Sequence, residues 1–350
     1  MSKQNYLAWM AENTATQWTN DSAILSQLEH AIENGAVGTT TNPPLSYEGL
    51  TVDAHLYEKD LAALRRDCSD DEFAEEAMGL VVKNLSRKLM PMHEARGGHF
   101  GCVRAQLQPG LHDDAGAMLA MGKRFAAWGK NVMVKVPGTQ AGIWVMEELA
   151  ALGIPTNPTV LCSVSQIVAS AEAYERGYDR ALKAGITPAW TTEALVMGRL
   201  QDYLSNLNTE RNAGVAVSDL AWAAIEMVKR TYHIFQKKGY KTIMQGAAFR
   251  CAMHVEQMVG GPFCSTIHPS IQTLVRDADA LGEMRRQSCI EEPVDPAIID
   301  RVAKAFPEVW KALEPDALAP DEFADFGPVK MTLENFDTNG WQKLISLKGG

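Results

Sequence analysis

Short stretches rich in β-forming residues alternate along this chain with longer stretches whose apolar residues recur at helical spacing. Residues 131–136 form the clearest β-stretch, and residues 140–152 carry a helical pattern that ends at Gly153. Repeated units of this kind build a parallel sheet covered by helices, because two parallel strands need a long crossover connection between them. The alternation therefore indicates an α/β protein.

Eight candidate strands can be placed by the same criteria. They cover residues 16–21, 36–42, 101–108, 131–136, 155–162, 189–196, 241–248 and 262–268. The main helical regions are predicted at residues 52–94, 164–176 and 216–237. Eight strands with intervening helices are what a (β/α)8 barrel requires. The sequence therefore predicts such a barrel, with its core over about residues 14–280 and additional helices.

The repeating pattern stops near residue 307. Pro315, Pro320 and Pro328 interrupt the tail, which still carries large apolar residues such as Trp310 and Trp341. Burying side chains of this size is favourable, so we expect about residues 307–350 to pack on the barrel as a C-terminal extension. Barrels of this class often exceed 250 residues as one unit, and residues 1–350 are predicted to form a single domain.

Charge and motif content limit the partners of the chain. It has 33 Lys and Arg against 43 Asp and Glu, a net charge of −10. Nucleic acids and anionic membranes attract positive surfaces, so neither is expected as a partner. The sequence also shows no signal-peptide pattern, no Cys-x-x-Cys pair, no metal-ligand spacing and no nucleotide-binding glycine motif. We expect a cytoplasmic protein without a metal or cofactor; whether it forms a homo-oligomer stays open.

Polar residues occupy inward positions of several predicted strands. Side chains along a strand alternate between two faces, so the valines on either side of Lys135 pack under helices and leave this lysine to point into the barrel. The same alternation gives further inward or rim positions: Asp21, Asn42, Arg104, Gln106, Gln108, Asn157 and Thr159. Most of them fall near carboxyl ends of strands, where barrel active sites are built.

A buried lysine at this place suggests a specific chemistry. A desolvated ε-amine has a lowered pKa and can attack a carbonyl to form an imine, which then accepts electrons when a neighbouring carbon–carbon bond breaks. That reaction needs a base, for which Asp21 is suited. It also needs a water molecule that forms and hydrolyses the imine, and Gln106 and Thr159 are suited to hold it.

The carboxamides Asn42 and Asn157 can bind sugar hydroxyls as donors and acceptors together. A simpler interpretation is that each inward polar residue is a hydrogen-bonded core group without a role in chemistry. Several such residues on one rim favour an active site over that interpretation.

Four short motifs carry a family resemblance. Residues 40–43 read Thr-Thr-Asn-Pro, residues 134–139 read Val-Lys-Val-Pro-Gly-Thr, and Asn-Pro-Thr at 157–159 follows Gly-Ile at 153–154. Residues 20–23, Asn-Asp-Ser-Ala, match a first-strand motif that carries an aspartate. In this order and spacing, over about residues 14–280, the chain resembles the transaldolase family. These imine-forming enzymes move a dihydroxyacetone unit from a ketose phosphate to an aldose phosphate.

The resemblance implies a (β/α)8 TIM barrel of the class I aldolase type, in which Lys135 forms the imine and Asp21 is the general acid and base. Residues 198–199 and 246–250 resemble the family's phosphate-binding segments. The resemblance therefore implies that Arg199 and Arg250 hold a substrate phosphate, a group that planar guanidinium side chains bind well. The alternative is that both are solvated surface arginines.

Several positions depart from the family pattern. Gln106 replaces the usual glutamate, a change also found in the fructose-6-phosphate aldolase subgroup, which favours free dihydroxyacetone. Arg104 replaces a small residue and is expected either to depress the pKa of the neighbouring lysine or to bind an anionic substrate. Ala248 and His268 each replace a serine, and residues 194–197 lack the family's Ser-Pro-Phe. The reaction type is therefore better determined than the substrate.

Three functions are compatible with these residues. The first is transfer of a dihydroxyacetone unit from a ketose phosphate, such as sedoheptulose 7-phosphate or fructose 6-phosphate, to an aldehyde. The second is an aldolase that releases or adds free dihydroxyacetone, which Gln106 favours. The third is a sugar-phosphate-binding relative without catalysis, which the losses around residues 194–197 and 248 favour.

Overall fold

The computed structural model describes residues 4–64 and 68–349. Its strands form one parallel sheet of seven: β1 (Gln17–Asn20), β2 (Gly38–Thr40), β3 (Cys102–Gln106), β4 (Val132–Lys135), β5 (Thr192–Leu195), β6 (Ile243–Gly246) and β7 (Phe263–Ile267). The strand order is β4-β3-β2-β1-β7-β6-β5, and each neighbouring pair is parallel. The sheet curls, and its two edge strands are β4 and β5.

The segment between β4 and β5 links these two edges. Thr156 forms backbone bridges to Val134 on one side and Thr191 on the other, and Leu161 bridges Leu195 of β5. These parallel bridges take the place of an eighth strand. The (β/α)8 fold class predicted from the sequence is thereby confirmed.

The prediction of a regular strand at residues 155–162 is wrong, and the backbone explains why. Pro155 and Pro158 have no N–H group to donate to a ladder. Val160 adopts a φ of 57°, a left-handed conformation that costs a β-branched residue roughly 1–2 kcal/mol. The segment therefore makes isolated bridges only.

Helices surround the sheet. Those within the described residues are α1 (Tyr6–Asn13), α2 (Leu25–Glu33), α3 (Pro43–Val52), α4 (Glu58–Leu64), α5 (Asp70–Ala95), α6 (Ala115–Ala126), α7 (Gln140–Ala151), α8 (Val164–Lys183), α9 (Met197–Glu210), α10 (Val217–Lys238), α11 (Ala252–Glu256), α12 (Pro269–Leu281), α13 (Pro296–Ala305), α14 (Val309–Leu313), α15 (Gly327–Phe336) and α16 (Gln342–Ser346). Helices α8 and α10 confirm the two later helical predictions. No helix in the described ranges has both the length and the apolar content needed to cross a membrane.

The first helical region differs from the single stretch predicted over residues 52–94. A helix already begins at Pro43, because proline suits the first helical position and the Asn42 side chain caps it by accepting from the Leu45 N–H at 2.9 Å. Helix α5 begins later, at a capping box formed by Ser69 and Glu72. Residues 65–67 of the predicted stretch lie outside the described residues.

The alternation of side chains along the strands places apolar residues against the helices, as predicted. Val103, Val132 and Val134 are buried in one apolar cluster with Phe125 of α6 and Leu149 of α7. These valines therefore face helices, which confirms the outward position predicted for Val134 beside Lys135. The expectation that Gln108 points into the barrel is wrong: it lies beyond the end of β3, where its side chain donates to Asp71 of α5 at 3.0 Å.

The C-terminal tail packs against the start of α3. A Cβ added to Gly340 would lie 2.4 Å from Pro44 Cδ and 2.6 Å from Pro43 Cβ, so only glycine permits this approach. Trp341 next to it is fully buried, and its Nε1–H donates to Asp71 at 2.7 Å. These contacts bring helix α15 over the carboxyl ends of the strands.

Candidate active site

A cavity of about 200 Å³ lies at the carboxyl ends of the strands. The sequence-predicted residues Asp21, Asn42, Lys135, Arg199 and Arg250 all line it. They come from the ends of β1, β2 and β4 and from the segments after β5 and β6. Parallel strands point the same way around a barrel, so residues far apart in sequence meet at this one rim.

Lys135 is the last residue of β4 and is only 5% exposed. Its Nζ donates to the Thr41 carbonyl at 3.4 Å. Burial lowers the pKa of this ammonium group to about 8, although the nearby Asp21 carboxylate acts in the opposite direction. At this pKa roughly a tenth of the side chain is the neutral, nucleophilic amine at pH 7, far more than in an unperturbed lysine.

Asp21 follows β1 directly, and its backbone N–H donates to the Ile267 carbonyl at 3.1 Å. Burial raises the pKa of its carboxyl group, and the positive charge of Lys135 offsets part of that effect. A carboxyl group with a raised pKa exchanges protons more readily near neutral pH. The pair Asp21 and Lys135 therefore supplies a proton acceptor and a nucleophile within one cavity.

Asp202 of α9 fixes the positive end of the cavity. It accepts two hydrogen bonds from Arg250, at 2.8 Å from Nε and 2.5 Å from Nη2, and lies 3.9 Å from Arg199 Nη1. Sequence reasoning missed Asp202, although its place three residues after Arg199 on a helix is a usable signal. The acid holds both guanidinium groups beside each other and still leaves a net positive charge.

A close backbone contact positions Arg250. Ala248 has a φ of 60°, and its carbonyl accepts from Arg250 Nη1 at 2.8 Å. A Cβ on Gly198 would lie only 1.7 Å from that carbonyl oxygen. Glycine at 198 is therefore required by space.

We expect Gly198→Ala to displace the Ala248 carbonyl and to release Arg250 from its position. The KM for a phosphorylated sugar should rise about tenfold or more, and overpacking should cost about 1–3 kcal/mol of stability. Steady-state kinetics and thermal unfolding measure both effects. Gly116→Ala is the matched control, since a Cβ there meets only Asp114 Oδ1 at 3.5 Å. A Gly198→Ala enzyme with normal KM and stability would contradict this account of the loop.

The C-terminal extension completes the cavity wall. The Phe336 ring centre lies 6.0 Å from Lys135 Nζ and 5.4 Å from Arg199 Cζ, and Asn335 accepts from Arg199 Nη2 at 3.2 Å. Sequence reasoning missed both residues of the extension. Their positions depend on how the tail folds back, which no local pattern encodes.

We expect Phe336→Ala to lower kcat/KM for a sugar phosphate about tenfold, because Arg199 loses its supporting ring and water enters beside Lys135. Phe323→Ala is the matched control in the same extension. Phe323 is buried but does not line the cavity, so its loss should lower the unfolding temperature and leave kcat/KM of the folded enzyme near normal. Equal effects of both variants on kcat/KM would contradict a role of Phe336 in the site.

The structure does not bring every predicted residue to this cavity. Gln106 is the register partner of Lys135, but it does not line the cavity, and neither does Asn157 or Thr159. Asn157 donates to Gln245 Oε1 at 2.9 Å. One side-chain oxygen of each of Gln106, Asn157 and Thr159 is buried without a hydrogen-bond partner among the described residues.

Two further placements differ from expectation. Arg104 lines a different cavity, at the amino ends of the strands, and does not line that of Lys135, so it is not placed to bind an anionic substrate there. Its positive charge does help to lower the pKa of Lys135, which was the other role expected of it. Gln245 of β6 lines the active-site cavity and was missed, although strand alternation within residues 241–248 places it inward. Within the described ranges, no group of three or more His, Cys, Asp or Glu side chains is arranged to hold a metal ion.

Comparison with known proteins agrees with the resemblance seen in the motifs. A family model described as Transaldolase/Fructose-6-phosphate aldolase matches residues 19–314, which is most of the chain. The chain belongs to the transaldolase/fructose-6-phosphate aldolase family. The family assignment made from the motifs is therefore confirmed.

Curated members of this transaldolase/aldolase family show moderate identity to the chain. A transaldolase of Thiobacillus denitrificans is 30% identical over 261 residues, covering 71% of this chain and 68% of the relative. Transaldolase 1 of Streptomyces avermitilis is 27% identical over 315 residues, covering 82% and 83%. A transaldolase of Neisseria meningitidis serogroup A is 32% identical over 205 residues, covering 57% and 58%.

Proposed function

We propose that this family member transfers a dihydroxyacetone unit from a ketose phosphate, such as fructose 6-phosphate or sedoheptulose 7-phosphate, to an aldehyde acceptor. The observation that carries the proposal is the buried Lys135, with its lowered pKa, in one cavity with Asp21. Names of relatives at about 30% identity support the reaction class. The two arginines in the cavity lining support an anionic sugar as the substrate.

The reaction begins when the neutral Lys135 amine attacks the ketone carbon of the sugar. Loss of water gives a protonated imine, which withdraws electrons from the neighbouring carbon–carbon bond. Asp21 takes the proton of the hydroxyl that becomes the aldehyde, and the carbon–carbon bond at that hydroxyl-bearing carbon breaks. The three-carbon unit stays on the lysine until an acceptor aldehyde takes it up and water releases the product.

Residues near Lys135 are proposed to hold the water that the reaction needs. Gln106 and Thr159 do not line the cavity, but each has a buried side-chain oxygen without a hydrogen-bond partner among the described residues, and they are proposed to hold the water that forms and hydrolyses the imine. Glutamine cannot exchange a proton, so Asp21 carries the proton transfers in this proposal.

Asn42 lines the cavity and is proposed to bind a sugar hydroxyl. Asn157 lies outside the cavity wall and donates to Gln245, so it is proposed to position that cavity-lining side chain.

The positive end of the cavity is proposed to hold the phosphate. Arg199 and Arg250 both line the cavity, and Asp202 between them balances one of the two charges. A phosphate monoester carries up to two negative charges near neutral pH. The remaining positive charge, together with a protonated Lys135, attracts such a group even though the whole protein is acidic.

Feeding fructose 6-phosphate with and without erythrose 4-phosphate tests the proposal. A transferase releases glyceraldehyde 3-phosphate continuously only when the acceptor is present, and sedoheptulose 7-phosphate accumulates in equal amount. The second candidate, an aldolase that releases free dihydroxyacetone, is favoured by Gln106. Product formation that is independent of the acceptor would overturn the transferase proposal and support the aldolase.

The pKa of Lys135 near 8 predicts the pH dependence. Only the neutral amine attacks, and protonation removes it below the pKa, so kcat/KM should rise with pH between about 7 and 9. Gln106→Glu adds a negative charge beside Lys135, which favours the ammonium form and should move this rise to higher pH. A wild-type profile that is flat over this range would contradict the assignment of Lys135 as nucleophile.

A further inference from the structure

A second cavity, of about 240 Å³, lies at the amino ends of the strands, opposite the active site. Cys102, Ile243 and Phe263, the first residues of β3, β6 and β7, contribute to its wall. Phe100 and Trp190 add aromatic surface. The exposed residues His99 and Pro262 also line it, so the cavity is accessible from solvent.

Arg104 brings a charge into this mostly apolar space. The residue is 2% exposed, and its Nε donates to Thr192 Oγ1 at 3.3 Å. Its Nη1 is buried without a hydrogen-bond partner among residues 4–64 and 68–349, and no carboxylate in these ranges pairs with the side chain. A buried charge without a partner is strongly unfavourable, so binding of an anion beside this guanidinium group would be favourable.

Nearby groups do not supply that anion. Cys102 and Cys264 are free thiols at the cavity wall. Burial raises the pKa of Cys102 to about 11 and also raises that of Cys264, so both stay neutral near pH 7. The positive charge of Arg104 is therefore not balanced by the cavity wall.

We propose that this cavity binds a small monocarboxylate with an apolar body, whose carboxylate pairs with Arg104. A guanidinium group binds a carboxylate through charge-assisted hydrogen bonds. A single buried positive charge balances one negative charge, whereas a phosphate dianion would bring an uncompensated and strongly hydrated charge into an apolar site. The aromatic side chains of Phe100, Trp190 and Phe263 receive the apolar part. The site is separate from the sugar-phosphate cavity, and its ligand is inferred without reference to the reaction proposed there.

Calorimetric titration with 4-bromobenzoate tests the proposal. We expect saturable binding to the full chain and at least about tenfold weaker binding to Arg104→Met, which keeps an unbranched apolar stem and removes the charge. The neutral probe 4-bromobenzamide should bind the wild type more weakly by a similar factor. Equal affinity of 4-bromobenzoate for wild type and Arg104→Met, or no binding to the wild type at millimolar concentration, would overturn the proposal.

A second variant leaves Arg104 in place. Ala15 is exposed and lines the cavity, so Ala15→Phe should fill the entrance and weaken 4-bromobenzoate binding. Ala297→Phe is the matched control at an exposed position outside the cavity and should bind like the wild type. In a crystal soaked with the probe, anomalous scattering should place the bromine beside Phe263. Bromine found only in the Lys135 cavity would overturn the proposal.

Discussion

Lys135→Met should lose at least about 10⁴-fold in kcat/KM for dihydroxyacetone transfer, because no other amine among the described residues lines the cavity to form the imine. Methionine fills similar volume and removes a buried charge, so stability should stay equal or rise. A coupled assay for glyceraldehyde 3-phosphate measures the activity, and thermal unfolding measures the stability. The expected result is a folded protein that binds sugar phosphate and turns over almost none.

Lys229 offers the matched control for this variant. It is a second buried lysine, 2% exposed, whose Nζ donates to the carbonyls of Cys289 and Glu292 away from the active-site cavity. Lys229→Met leaves those carbonyls without their donor, so it should lower stability and keep kcat/KM of the folded enzyme near normal. Substantial transfer by Lys135→Met would contradict the proposed nucleophile.

Asp21→Asn should lower kcat about 10²- to 10⁴-fold, the usual contribution of a general acid–base group. Asparagine keeps the shape of the side chain but cannot accept the hydroxyl proton. Loss of the Asp21 charge also removes an effect that raises the pKa of Lys135. The amine should therefore be neutral at lower pH, so imine formation should persist while bond cleavage is slow.

Asp202→Asn is the control for Asp21→Asn, because it also removes a negative charge near the cavity but leaves the proposed proton acceptor in place. Asp202 holds Arg199 and Arg250, so its variant should raise KM for the phosphorylated sugar more than it lowers kcat. Single-turnover measurements distinguish imine formation from cleavage in Asp21→Asn. Unchanged kcat in that variant would contradict the assignment of Asp21 as the proton acceptor.

The sequence was sufficient to place the centre of the site. Valines on either side of Lys135 fix its inward direction, since a strand alternates its faces without reference to the rest of the chain. Asp21 and Asn42 follow because they end neighbouring parallel strands, whose ends meet at one rim. These predictions depend only on local periodicity and on the direction of parallel strands.

Other parts of the site depend on contacts that periodicity does not encode. Asn335 and Phe336 reach the cavity only because Gly340 lets the tail approach α3. Arg104 was correctly placed inside the barrel, but alternation does not determine whether a long side chain leans toward the carboxyl or the amino end. Prolines and the left-handed backbone at Val160 prevent a regular strand at residues 155–162. The prediction failed there because the pattern of side chains does not report backbone conformation.

Borohydride reduction of the enzyme mixed with fructose 6-phosphate, followed by mass spectrometry of its peptides, tests directly whether Lys135 forms the imine. Reduction converts an imine into a stable amine, so we expect a sugar-derived adduct on the peptide that contains Lys135. The adduct should persist in Asp21→Asn and be absent from Lys135→Met. An unlabelled protein that still binds the sugar phosphate, or a label on another lysine, would rule out Lys135 as the nucleophile.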